Sequence, residues 1–253
     1  MADGRAGVSC VLQLCIDRKD GYYAFSEKAA VIAVHGAWAD GSSWQAIVRP
    51  LEDRGFKVIA APIPLTSLSD DAAALRRTIA RTQGPVIVVG HAYAGAVIAT
   101  ANDERVKALV YVAALAPDEG ETVAEVFYRD ETHPKAPQLA PDSDGFIWMP
   151  DEGFGNAFAQ NATDEQIALA KAVQRPIAVK SIQEPAPAPA WRSKPTWYLL
   201  AEEDRMINPK TQHFMAGRMQ ATVRSFPVDH TPLLTAPDKV VDIILEAANA
   251  TLS

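Results

Sequence analysis

The chain has 253 residues, 48% of them hydrophobic, with a formal net charge of −7 and a pI near 5.3. That is enough apolar material for one sizeable core, and an acidic chain with no Lys/Arg run excludes nucleic acid and anionic membrane surfaces as expected partners. No apolar run reaches the ~18 residues of a membrane span, and Cys10 and Cys15 fit neither a disulfide framework nor a zinc pattern, so a reducing cytoplasm is the expected setting.

Residues 1–30 carry a broken apolar stretch at 8–16, followed by Asp17, Arg18, Lys19 and Asp20 with no small-residue cleavage site. This reads as an edge strand or an extension and not as a secretory signal. From residue 31 the pattern is regular. Residues 31–34 are a short apolar, β-branched run of the kind that forms a buried parallel strand. Ser42 and Ser43 offer caps to a helix whose apolar face is Trp44, Ile47, Val48 and Leu51, and Gly55 ends it. A strand is expected at 56–60, a helix at 70–82, a strand at 85–89, a helix at 92–102 and a strand at 106–112. Strands alternating with helices imply a parallel sheet covered on both faces.

The alternation breaks from 116 to about 190. Nine prolines fall there, from Pro117 to Pro189, with short amphipathic pieces at 123–128, 155–160 and 164–173. A long insertion with helices of its own is expected to be a lid. Alternation resumes with a strand at 196–201, a helix at 209–219, a strand at 222–226 and a last helix at 237–250. The expected organisation is therefore a core of 31–116 and 191–253 with a helical lid at 117–190.

Ligands of open parallel sheets bind beyond the carboxyl ends of the strands. Those ends lead into His35-Gly36-Ala37-Trp38, Gly90-His91-Ala92-Tyr93-Ala94-Gly95, Glu202-Glu203-Asp204-Arg205 and Val228-Asp229-His230. The second segment, a strand ending in Val88-Val89, then Gly-His-x-Tyr-small-Gly, then an Ala-rich helix, resembles the nucleophile elbow of the α/β-hydrolase superfamily. The order elbow, acid, histidine is also the family's. The resemblance covers about residues 30–250. It is closest to the small, cofactor-free esterase, amidase and hydroxynitrile-lyase branch, which shares the His-Gly-x-Trp-like opening and a helical cap.

The resemblance implies an α/β-hydrolase fold with no cofactor and no metal, acting on a small apolar carbonyl- or ester-containing molecule. It puts residue 92 at the nucleophile position, Asp204 in the acid's place ahead of Glu202 and Glu203, and His230 in the base's. The amides of Tyr93 and Ala37 would form the oxyanion hole. Trp38, Phe127, Phe146, Trp148 and Phe154 are candidates to line an apolar pocket under the lid. His35 and His91 read as structural, with ring nitrogens on nearby backbone, and His133 and His213 as solvated.

The family has serine where this chain has Ala92, and Ala94 replaces the usual second glycine. A methyl group cannot attack a carbonyl, and losing such a serine costs about 10⁶-fold in turnover. Three readings account for the alanine: an engineered Ser→Ala change, a His–Asp enzyme that works without a covalent nucleophile, and a small-molecule binder on the hydrolase fold. The second departure at Ala94 favours a natural variant, and the intact acid and base favour an enzyme.

Overall fold

In the computed structural model the first strand, β1 (Ala30–Val34), is buried along its whole length. The structure describes residues 29–252, so the stretch at 8–16 and both cysteines lie outside the described residues. Alternate β1 side chains enter two separate cores: Ala30, Ile32 and Val34 join one, Val31 and Ala33 the other. A period of two with both faces apolar requires cover on both sides, and that is what forms.

Four further strands are β2 (Lys57–Ala61), β3 (Val86–His91), β4 (Val106–Val112) and the short β5 (Phe146–Ile147). The last three are the short β6 (Ile177–Ala178), β7 (Thr196–Ala201) and β8 (Thr222–Phe226). Six of them form a parallel sheet in the order β2-β1-β3-β4-β7-β8, while β5 and β6 make a separate antiparallel ribbon. Helices α1 (Gln45–Glu52) and α9 (Pro237–Thr251) cover one face of the sheet. The other face is covered by α2 (Leu68–Ile79), α3 (Ala94–Ile98) and α8 (Pro209–Arg218). The chain steps from β1 outward to β2, then returns to the far side of β1 to form β3. This reversal opens a crevice at the carboxyl ends of β1 and β3, and it sets the His35–Trp38 loop beside the turn at Ala92.

Local chemistry shifts several expected boundaries. Helix α2 starts at Leu68 instead of 70 because the Ser67 hydroxyl caps it, accepting from the Asp70 amide at 3.0 Å. Ser42 and Ser43 do not cap α1. They lie within a 3₁₀ turn (Gly41–Trp44) whose cap is Asp40, and both hydroxyls donate back to Asp40. Helix α3 begins at Ala94 instead of 92, because Ala92 holds a left-handed φ of 51° that no helix can include.

Gly95 lets α3 leave the turn. A Cβ there would lie 2.2 Å from the Leu115 carbonyl oxygen, a backbone atom that cannot swing aside. Gly95→Ala is accordingly expected to cost about 3 kcal/mol. Urea denaturation should show a lower midpoint at unchanged slope; a midpoint equal to the parent's would mean the turn is looser than described.

Between β4 and β7 lie α4 (Val123–Phe127), α5 (Asp151–Gly153), a π-helical turn (Phe154–Phe158), α6 (Asp164–Val173) and α7 (Val179–Gln183), with the β5–β6 ribbon among them. Capping boxes at Thr122/Glu125 and Thr163/Gln166 start α4 and α6. No helix among the described residues is long and apolar enough to cross a membrane.

Candidate active site

Strand β3 ends at His91 and α3 starts at Ala94, so Ala92 and Tyr93 form a tight turn with residue 92 at its tip. Its amide donates to the Val112 carbonyl at 3.3 Å, and its carbonyl accepts from the amides of Gly95 (3.1 Å) and Leu115 (2.9 Å). These three bonds hold the left-handed backbone in place. Gly36 lies alongside, where a Cβ would stand 3.0 Å from the Ala92 methyl.

Asp204 follows β7, and both of its oxygens are engaged. Oδ1 accepts from the amides of Met206 (2.7 Å) and Ile207 (2.9 Å), and Oδ2 accepts from Gln212 Nε2 (2.8 Å) and His230 Nδ1 (2.8 Å). The carboxyl and imidazole side chains are 0% and 2% exposed, so water does not compete for their bond. A carboxylate on Nδ1 fixes the tautomer that leaves Nε2 free as a base. The His230 carbonyl accepts from His91 Nε2 at 2.7 Å, so His91 braces the backbone of the other histidine rather than the turn it precedes.

His35 donates from Nδ1 to the Gly36 carbonyl at 3.0 Å, and burial lowers its basicity. His133 and His213 are exposed, as is Glu202, which accepts from the Ser225 hydroxyl and lies 3.3 Å from His213 Nε2. Glu203 is also exposed, so neither glutamate takes the place of Asp204.

Ala92 and His230 line one cavity together with Ala37 and Tyr93. The amide N–H groups of Ala37 and Tyr93 donate to no group among the described residues. The remaining walls of the cavity are apolar: Leu115, Val123, Ile147, Ile177, Ile182, Met206 and Ile207 among others.

Of the five expected aromatic wall residues, Trp38 and Phe127 line this cavity. Phe146, Trp148 and Phe154 do not. The period of two along β5 turns Ile147 inward and its neighbours away. Trp148 is 49% exposed with its indole N–H on Asp142 Oδ2, and Phe154 is buried edge-on against Phe158. The aliphatic wall carries no distinguishing sequence signal.

Two polar residues escaped the sequence reading. Gln212 looks like any helix glutamine until the fold brings it to Asp204. Asp229 is fully buried, accepting from the Thr235 hydroxyl (2.5 Å) and the Asn161 amide (3.0 Å), and burial raises its carboxyl pKa. It pins the loop that carries His230, and its place next to that histidine was the one available hint.

A strand–turn–helix presenting residue 92, an acid after β7 and a histidine after β8 define a hydrolase-type α/β scaffold. The chain belongs to the alpha/beta hydrolase family, matched over residues 31–243. It is 27% identical over 249 residues to the alpha/beta hydrolase nvfD of Aspergillus novofumigatus, covering 87% of this chain and 97% of that one. It is 26% identical over 253 residues to norfluorocurarine synthase 2 of Strychnos sp., covering 85% and 91%. Among solved structures it resembles a pyrethroid hydrolase from Sphingobium faniae JZ-2 (TM-score 0.76, 23% identity, 88% and 98% covered). It also resembles polyneuridine aldehyde esterase (TM-score 0.72, 17% identity, 87% and 99% covered). At these identities the structural likenesses establish the shared fold.

Proposed function

We propose that the chain is an enzyme in which His230, oriented by Asp204, moves protons on a small apolar carbonyl compound without a covalent intermediate at residue 92. One observation carries this reading: a buried imidazole–carboxylate pair, bonded at 2.8 Å, opens onto the same cavity as a methyl group where the family has its nucleophile. The pair retains a general base; what has gone is the group that the base would activate.

Residues 117–190 act as the cap that keeps the cavity dry, and Ala37 and Tyr93 supply amides to a carbonyl oxygen that gains charge. With a β-hydroxy ketone, Nε2 of His230 takes the hydroxyl proton. The C–C bond breaks, its electron pair forms an enolate whose oxygen rests on the two amides, and the proton returns to carbon. With a cyanohydrin, Nε2 again takes the hydroxyl proton, the C–CN bond breaks with its electron pair leaving as cyanide, and the proton passes to cyanide to give hydrogen cyanide and the carbonyl compound. Relatives with hydrolase and synthase names are consistent with one fold hosting more than one reaction.

The test offers 4-hydroxy-4-phenylbutan-2-one and mandelonitrile to the parent and to His230→Ala, following benzaldehyde release. The parent should turn over at least one of them with no protein adduct by mass spectrometry, and His230→Ala should be inactive. A parent inert toward both, binding them no differently from His230→Ala, would favour a non-catalytic binder.

A further inference from the structure

Trp38, Leu65 and Ala92 are non-glycine residues with left-handed backbones, at φ 58°, 61° and 51°. Such conformations persist only where the surroundings over-determine them. Ala92 is the turn of the active site, and the other two hold the cap ribbon. Trp38 donates from its indole to the Ile147 carbonyl on β5 at 2.9 Å, and Leu65 accepts at its carbonyl from the Ala178 amide on β6 at 2.9 Å. Ile147 and Ile177, one from each ribbon strand, form part of the cavity wall.

Asp71 on α2 connects these parts. It is wholly buried, yet neither oxygen is idle. Oδ1 accepts from the Leu65 amide at 2.7 Å, and Oδ2 accepts from the Tyr93 hydroxyl at 2.6 Å. Burial pushes the carboxyl up to about 6. A carboxylate kept out of water is costly unless its oxygens are satisfied, and this one spends one oxygen on each of two chain segments. The first seats the ribbon. The second bears the free amide next to Ala92.

We propose that Asp71 is a positioning residue that couples the seating of the cap ribbon to the Tyr93 amide, so that closing the cavity and completing the oxyanion site are one event. The catalytic half rests on the oxyanion reading given under Proposed function. The coupling half rests on the three hydrogen bonds that run from Tyr93 through Asp71 and Leu65 to Ala178.

Tyr93→Phe tests the coupling from its far end. It removes one oxygen at the elbow; that hydroxyl also faces Ser181 on α7, so Ser181→Ala is the control and should leave exchange at Ala178 at the parent rate. Amide hydrogen exchange in Tyr93→Phe should quicken several-fold at Ala178 and Leu65 while the amides of β3 and β4 keep the parent rate. Asp71→Asn, which keeps the shape but faces two donors with one acceptor, should do the same. In an Ala92→Ser background with p-nitrophenyl butyrate as probe, each change should lower kcat about tenfold or more, with KM moving far less. The double variant should be no worse than the poorer single one, since all three interrupt one connection.

Unchanged exchange at Ala178 in Tyr93→Phe would overturn the proposal. So would exchange that rises equally across the sheet, or kcat losses that multiply in the double variant. The exchange arm needs no turnover. It decides the coupling even if the Ala92→Ser protein is inert, a result that would count against the base or the oxyanion amides and not against the coupling.

Discussion

Ala92→Ser is expected to hydrolyse p-nitrophenyl butyrate at least about 10³-fold faster than the parent, because the proposed base and oxyanion amides line the same cavity as residue 92. Residue 92 already holds the left-handed turn (φ 51°) and lines the cavity shared with His230, Ala37 and Tyr93. The backbone bonds that fix the turn involve no side chain at 92, so a serine inherits them. Gly36 leaves room beside the Cβ. The added oxygen would find a base whose tautomer is set and two amides with no other partner. Adding His230→Ala should return the rate to the parent's. No gain in Ala92→Ser, with a native circular-dichroism spectrum, would mean that the base or the amides are not in working position.

Asp204→Asn should lower turnover about 10⁴-fold, whether measured on the Ala92→Ser esterase or on the native reaction. Two backbone amides hold Oδ1 of Asp204, so an asparagine would keep its oxygen on them and turn its amino group toward His230. Nδ1 would then have to accept, the ring proton would move to Nε2, and the base would be spent before substrate arrives. The same amino group would face the Gln212 amide nitrogen, which now donates to Oδ2. Initial rates should show the loss mainly in kcat. A variant within tenfold of its parent would show that the carboxylate does not set the tautomer.

Strands β4 and β7 were legible because each is short, apolar and bounded by turn residues; 106–112, 196–201 and the more polar 222–226 coincide with β4, β7 and β8. The loops that carry Ala92, Asp204 and His230 follow from the rule that strand carboxyl ends carry the chemistry. The cavity wall was less legible. Aromatics were the expected lining, yet Phe146 and Trp148 flank Ile147, the last residue of a two-residue strand too brief for its alternation to show. Asp71 was invisible for another reason. In the sequence it is one of two acids in the first turn of a helix, where acids are common. Only packing separates it from its exposed neighbour Asp70.

The left-handed turn at Ala92 also bears on ancestry. Alanine and serine codons are interconverted by a change of a single base, from GCN to TCN. In many proteins such a step would be followed by repacking before a new residue could act. Here the left-handed turn is held by main-chain bonds in which the residue 92 side chain takes no part. A one-base step at codon 92 would therefore change the side chain at the tip of the turn without requiring the fold around it to be rebuilt.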